Sequence, residues 1–287
     1  GDALPRSDDL AVLDRLGIPN LNGGLTYITR ATPTQTLISP MARPVGEYLQ
    51  VYAPVMNENM YTDDWLGPFD GFRDVIETFE MTERPRRIKP MNVYYHFYSG
   101  TKISAMKALK EAYDWSLDQD INPVHVSDYS IKVPAYRQAG VARYLDGQWK
   151  LSGLGPVRSI RLLNEALWPE LEGSQGLVGA RQLHDGIYMH TNGADEVLFR
   201  LDRDIPDEVH LVSSNGRVQR WDSSGGRLVL HVTAEVPVTV ELGGAISAAC
   251  SLRVGNTSVQ GQSSANESVI FSFSSRDTGN ATLNCPA

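Results

Sequence analysis

The sequence predicts an α/β region over residues 1–130 followed by an all-β sandwich or jelly roll over residues 131–287. Three observations carry this. Apolar residues at helical spacing alternate with short apolar runs in the first part. Period-two alternation takes over from about Val133. Turn dipeptides then recur between the alternating segments, as they do in sandwiches and jelly rolls.

In chain order, Leu10, Leu13 and Leu16 mark a first helix. Leu49-Gln50-Val51-Tyr52-Ala53 reads as a strand. Phe72, Val75, Ile76 and Phe79 fall at i, i+3, i+4 and i+7, an amphipathic helix. Met91-Asn92-Val93-Tyr94-Tyr95 reads as a second strand. Ile103, Met106, Leu109, Tyr113 and Leu117 give a longer helix. Strands alternating with helices predict a largely parallel sheet.

In the second part, Asp146-Gly147, Asp185-Gly186 and Asn215-Gly216 signal tight hairpins. A type I′ turn needs positive φ at both central residues, which these pairs tolerate. Leu228, Leu230 and Val232 alternate, as do Val236, Val238, Val240 and Leu242, and then Val269, Phe271 and Phe273. A helix-like stretch, Ser159 to Leu167, interrupts the pattern before Trp168-Pro169.

Composition narrows the function classes. The 287 residues carry a net charge of −8, which argues against nucleic-acid binding, because phosphates want a basic face. No apolar run approaches the roughly 18 residues a membrane span needs. Gly1-Asp2-Ala3-Leu4-Pro5 has neither the basic start nor the apolar stretch of a signal peptide, and the chain reads as cut from something longer. Cys250 and Cys285 fit a disulfide that ties down the C-terminus and implies an oxidising compartment; the other reading is two buried thiols. The triplets at Asn256, Asn266 and Asn280 match glycosylation acceptors, but chance explains them in a Ser- and Asn-rich segment.

No complete catalytic motif is present. The six histidines are scattered, and none forms His-x3-His. His184 and His190 flank a hairpin turn and read as solvated. Three segments are nonetheless unusual for a structural domain: Asn20-Leu21-Asn22-Gly23-Gly24, the carboxylate- and amide-rich Asn57 to Trp65, and Tyr94-Tyr95-His96-Phe97-Tyr98-Ser99-Gly100. A His at the end of an apolar strand, with aromatics and amide-rich loops around it, suits a sugar site. Rings stack on apolar sugar faces, while amides and carboxylates bond hydroxyls. The other reading of His96 is a satisfied core residue.

These segments, with Ile28-Thr29-Arg30, Gln50-Val51-Tyr52-Ala53-Pro54, Asn57-Glu58-Asn59 and Asp64-Trp65, resemble the deacetylase domain of PelA-type proteins, which modify the biofilm exopolysaccharide Pel. The resemblance covers residues 1–130 well and the β half more loosely. It implies the C-terminal part of a NodB-like deacetylase barrel lacking its N-terminal strands, then a β-sandwich, in the periplasm. It implies a metal-dependent N-deacetylase acting on an N-acetylgalactosamine-containing polymer. The divalent metal, expected to be zinc, would have its ligands upstream of Gly1 and none in this chain, so that this chain alone is inactive. His96 matches the late catalytic His, a general acid on the departing amine, and Asp64-Trp65 matches the late Asp/Trp motif. Glu58, Asp63 and Asp64 stay open as the carboxylate that orients His96. The implied catalytic residues are thus His96 and Asp64, and the substrate-binding residues are Trp65, Asn22, Tyr95 and Glu58. Implied partners are an N-acetylated polysaccharide, the upstream part of the same protein and an exopolysaccharide export protein, with no nucleic acid and no membrane span. The alternative is a carbohydrate-binding or partner-docking module without catalysis. Tyr144, Trp149, Trp168, Tyr188 and Trp221 would then be a sugar platform, or simply core.

Overall fold

A computed structural model describes residues 4–84, 87, 89–163, 166–223, 228–264, 267–276 and 278–286. The protein is mostly β, with small antiparallel sheets and few helices. Its contacts divide it into two compact units, Gly1–Ile121 and Asn122–Ala287.

The first unit is built on helices. α1 (Ser7–Arg15) is followed by a hairpin of β1 (Ala42–Val45) and β2 (Tyr48–Val51), paired antiparallel with Ala42 opposite Val51. Then come α2 (Glu58–Tyr61), α3 (Val75–Glu83) and α4 (Ile103–Leu117). Val55, Tyr61, Phe72, Val75, Phe79, Ala108, Leu109 and Ala112 form the core, and Met91, Val93 and Trp115 pack against it. Burying each large side chain contributes roughly 1.5–3 kcal/mol.

The parallel sheet expected here does not form, and no deacetylase barrel is present among the described residues. Among the described residues β2 pairs only with β1, and the one parallel contact is an isolated bridge between Asn22 and Tyr52. Residues 91–95 carry no ladder among the described residues. An apolar run satisfies its burial against helices as readily as against a sheet, and Met91 and Val93 do the former.

The helix over 103–117 forms, but its buried face differs from the expected one. Ala105, Ala108, Leu109, Ala112 and Ser116 are buried, whereas Ile103 is 81% exposed and Met106, Tyr113 and Leu117 are also exposed. Two apolar stripes share this helix, and the one with small residues allows the closer approach.

The second unit opens with α5 (Val126–Gln138), so strands begin at Gly140 rather than Val133. β3 (Gly140–Arg143), β4 (Trp149–Ser152), β6 (Trp168–Gln175) and β9 (Glu196–Asp202) form one sheet in the order β3-β4-β9-β6. β5 (Ser159–Leu162), β7 (Leu177–Leu183) and β8 (Gly186–Thr191) form a second, ordered β5-β8-β7. Leu151, Ala180, Ile187, Met189, Val197 and Phe199 make a shared core between these two sheets.

β10 (His210–Ser214), β13 (Thr239–Gly243), β17 (Val269–Ser272) and β16 (Gln262–Ser263) form a third sheet in that order. β11 (Arg217–Asp222), β12 (Val229–Thr233), β18 (Gly279–Asn284), β14 (Ser251–Val254) and β15 (Thr257–Gln260) form a fourth. Their common core holds Leu230, Val232, Val240, Leu242, Leu252 and Phe271. The β half therefore has two cores where one sandwich was expected. Gly179 in β7 lies so close to β10 that a Cβ there would fall 2.1 Å from the Leu211 carbonyl oxygen.

Cys250 and Cys285 are bridged, with Cα atoms 4.1 Å apart, just beyond the paired ends Ser251 and Asn284. Closing that 35-residue span removes unfolded-state freedom equivalent to about 3–4 kcal/mol.

Local readings fare unevenly. The Asp185-Gly186 hairpin forms between β7 and β8, with Leu183 opposite Gly186. The Asp146-Gly147 hairpin forms with only Gly147 at positive φ, because its loop is the three residues 145–147 and not a type I′ pair. Asn215-Gly216 joins strands of different sheets and is no hairpin turn. The Asn215 side chain bonds across instead, donating to the Pro237 carbonyl at 2.9 Å and accepting from the Thr239 N–H at 2.8 Å. The helix-like stretch from Ser159 is strand β5 at its start, because β8 supplies ladder bonds that outweigh its helical spacing; residues 164–165 lie outside the described residues.

Candidate active site around His96

The site begins with α2. Asn57 caps this short helix, its Oδ1 accepting from the Asn59 N–H at 3.0 Å. The cap leaves Glu58 facing inward, with only 1% of its side chain exposed. Behind it, Thr62 Oγ1 donates to the Glu58 carbonyl at 2.9 Å and closes the turn.

The chain then makes an unusual bend. Asp63, Asp64 and Trp65 all lie in the left-handed region, with φ of 48°, 49° and 66°. Each such residue costs roughly 1–2 kcal/mol unless it is glycine. Backbone bonds from Asp64 to Asn59 and from Gly67 to Thr62 hold the bend, at 2.8 and 3.0 Å. Its result is to set the Trp65 indole edge-on to Tyr98, with centroids 5.0 Å apart, and 5.2 Å from Phe69.

Residues 91–96 carry no helix or strand and lead, through an extended His96, into a 3-10 turn, Phe97–Thr101. His96 sits at the junction. Its backbone N–H donates to Glu58 Oε1 at 2.8 Å. Its ring Nδ1 lies 3.0 Å from Oε1 and 3.1 Å from Oε2 of the same carboxylate. Ser99 Oγ, also buried, donates to Oε1 at 3.1 Å. A carboxylate can only accept, so Nδ1 carries a proton. The other ring nitrogen, Nε2, takes no hydrogen bond among the described residues, and the His96 side chain is 36% exposed.

Two tyrosines flank the imidazole. The Tyr98 ring lies nearly parallel to it, at 5.0 Å and 7°, and the Tyr94 ring is 6.0 Å away. The Tyr98 hydroxyl donates to Asn59 Oδ1. Burial, and then the charge of Glu58, push the Tyr98 phenol above its ordinary value, so it stays protonated as a donor.

The expected site residues divide clearly. Of the three carboxylates left open, Glu58 is the one bonded to the His96 ring among the described residues. Asp64, expected to be catalytic, is exposed and makes no hydrogen bond to His96 among the described residues; the bend turns its side chain outward. Trp65 joins through Tyr98. Tyr95 packs edge-on against Tyr113 at 6.4 Å, because successive side chains of an extended segment point to opposite sides.

Asn22 turns its Oδ1 onto the Gly23 N–H at 2.8 Å, and its backbone bridges to Val51 and Ala53. The Asn-Gly-Gly segment borders the site through Gly23, where a Cβ would lie 3.8 Å from the Tyr94 hydroxyl. Gly24 is obligatory, since a Cβ there would fall 1.8 Å from the Ala53 carbonyl oxygen. Residue-by-residue reading of the sequence assigned no role to Tyr98, Asn59 or Ser99. Their signal was the spacing His-x-Tyr-Ser beside Glu-Asn.

Among the described residues no three His, Cys, Asp or Glu side chains converge to hold a metal ion. Among the described residues Glu58 is the carboxylate bonded to His96, and it already accepts from three donors, so these residues do not fit a resident divalent metal. A cavity of about 650 Å³ lined by Arg30, Glu80, Arg84, Trp115 and Gln119 lies elsewhere in this unit and includes none of the His96 cluster.

Two further titratable groups stand out. Lys89 is 2% exposed and its Nζ has no hydrogen-bond partner among the described residues; burial pushes it down to about 8. His190, expected to be solvated, is instead enclosed between strands. Its Nε2 donates to the Val212 carbonyl at 2.8 Å, and burial pushes the ring down to about 4.

No family model matches the chain, and neither the curated proteins nor the solved structures supply a match.

Proposed function

We propose that this chain is part of a polysaccharide N-deacetylase of the PelA type, in which His96 protonates the departing amine of an N-acetylated sugar. The observation that carries this is the pairing of a partly exposed imidazole with a buried carboxylate through Nδ1. Hydrolysis of an N-acetyl group adds water oxygen to the carbonyl carbon and breaks the C–N bond. The nitrogen leaves as a neutral amine only if it receives a proton. An imidazolium suits that task near neutral pH. Glu58 fixes the ring so that Nε2–H faces outward, and it offsets the positive charge of the imidazolium. The aromatic pair of Trp65 and Phe69 beside it suits the apolar face of a pyranose.

The divalent metal that such an enzyme uses has no donor set among the described residues, so no step is assigned to it here. On this reading the upstream part of the protein would hold it, and residues 1–130 would contribute the proton donor and part of the sugar site. The Cys250–Cys285 bridge supports an oxidising compartment such as the periplasm. The β half would be an accessory to the deacetylase.

A second reading is favoured by one observation. Phe97 is 96% exposed and Leu66 78% exposed close to the cluster in sequence, which suits a sugar-binding surface without catalysis. Acetate release from a polymer of N-acetylgalactosamine by the full-length protein separates the two. Catalysis requires release in the wild type and its loss in His96→Ala. Binding of the polymer with no release by the wild type would leave only the surface.

A further inference from the structure

We infer that Tyr98 is a positioning residue for His96, holding the plane of the imidazole so that its free nitrogen stays aimed outward. The inference rests on the catalytic reading of His96 for its functional consequence, and on geometry alone for the positioning itself.

Glu58 holds the ring at Nδ1, but a hydrogen bond tolerates roughly 30° of misalignment, so it fixes the ring plane only loosely. The torsion between Cβ and Cγ of a histidine has broad, shallow wells, so a ring held at one nitrogen can still swing. A half-turn would exchange Nδ1 for a carbon and put the donor nitrogen on the wrong side. The Tyr98 ring lies flat over the imidazole, 5.0 Å away and only 7° from parallel. Its hydroxyl is in turn anchored to Asn59 Oδ1. Asn59 follows Glu58 in α2, so one short helix grips the imidazole twice, at its edge through Glu58 and over its face through Asn59 and Tyr98.

The 3.2 Å approach of the Tyr98 hydroxyl to Nδ1 is a contact and not a second bond. The Nδ1 proton already faces the carboxylate, and the phenol hydrogen goes to Asn59. Trp65 backs Tyr98 edge-on, which gives the left-handed bend a purpose: it sets the indole where it supports the ring that covers His96. Strained backbone of this kind persists where its surroundings over-determine it.

The test uses Tyr98→Leu and Tyr98→Phe in the full-length protein, with two readouts. The first is kcat and KM for acetate release from an N-acetylgalactosamine polymer. The second is the ¹⁵N spectrum of the His96 imidazole, identified by its disappearance in His96→Ala. Tyr98→Leu should lower kcat roughly 10- to 100-fold while KM moves less than about threefold, since misaimed groups act on the chemical step. It should also shift the two ring nitrogens toward the averaged values of mixed tautomers. Tyr98→Phe keeps the ring but loses its bond to Asn59, and should lower kcat by less than Tyr98→Leu does. Wild-type kcat and an unchanged ¹⁵N pattern in Tyr98→Leu would overturn the inference. If His96→Ala proves fully active, the catalytic reading fails, and the ¹⁵N pattern alone still decides whether Tyr98 positions the ring.

Discussion

One carboxylate oxygen of Glu58 lies 2.8 Å from the backbone nitrogen of His96 and 3.0 Å from its ring Nδ1. A single atom thereby ties both the main chain and the imidazole of the same residue to α2. Ser99 Oγ adds a third donor at 3.1 Å. A buried carboxylate with three donors is well satisfied, and removing it leaves those donors unpaired.

Glu58→Gln should therefore impair the site without a change of size. Its amide keeps one oxygen for the three donors but puts an NH₂ group where Oε2 lies 3.1 Å from Nδ1, and it brings no negative charge to an imidazolium. Acetate release should fall by at least about 10-fold, and thermal unfolding should show a loss of about 1–3 kcal/mol. Wild-type activity in a folded Glu58→Gln protein would show that the pairing is structural only.

Asp64→Ala distinguishes the carboxylate the sequence suggested from the one in contact with His96. Asp64 is exposed and bonded to the site only through its backbone. Acetate release by Asp64→Ala is expected to stay within about threefold of wild type, below the usual range for acid–base groups. A loss of 100-fold or more, roughly the effect of removing such a group, would return Asp64 to the mechanism.

Lys89 is expected to lower stability at neutral pH. It is buried, without a partner among the described residues, and held down to about 8. Lys89→Met keeps the length of the side chain and removes the uncompensated charge, so it should stabilise the protein by about 1–3 kcal/mol at pH 7. The unfolded state binds more protons at Lys89 between pH 8 and 10.5, so wild-type stability should rise through that window and the variant should lack this rise. Denaturant melts at pH 7 and pH 10 measure both effects.

His190 gives a dependence in the acid range. Its folded value is depressed from 6.5 to about 4, so the unfolded state takes up the proton first as pH falls. Its contribution is fully present above pH 6.5 and is lost on descending to about 4, amounting to about 3 kcal/mol. In His190→Gln the slope of unfolding free energy over this window should flatten. An unchanged slope, measured by urea melts at pH 7, 5.5 and 4.5, would assign the acid loss to other groups.

Much of the local structure was legible in the sequence. Helical spacing located α1, α3 and α4, and alternation located β12, β13 and β17, because burial on one face imposes those periods. The buried face of α4 was not legible, since two apolar stripes compete and only packing chooses the one with alanines. The parallel sheet failed for a similar reason. The run at 91–95 has strand composition, but a strand exists only if a neighbour supplies hydrogen bonds. In the β half, sequence does not say which strands share a sheet, so one sandwich and two sheet pairs look alike. At the site, His96 was singled out by its motif, while the choice of Glu58 over Asp63 and Asp64 needed three dimensions. A cap at Asn57 turns Glu58 inward, and the left-handed bend turns the two aspartates out.

The most direct test of the role given to His96 is acetate release by the full-length protein carrying His96→Ala, measured together with its bound metal. Loss of the proton donor should lower release by roughly 10²- to 10⁴-fold, the span of general acid–base help. Bound metal should match the wild type, because among the described residues no group of three His, Cys, Asp or Glu side chains includes His96. Undiminished release would contradict the assignment outright, and loss of the metal with the activity would make His96 a ligand instead of an acid.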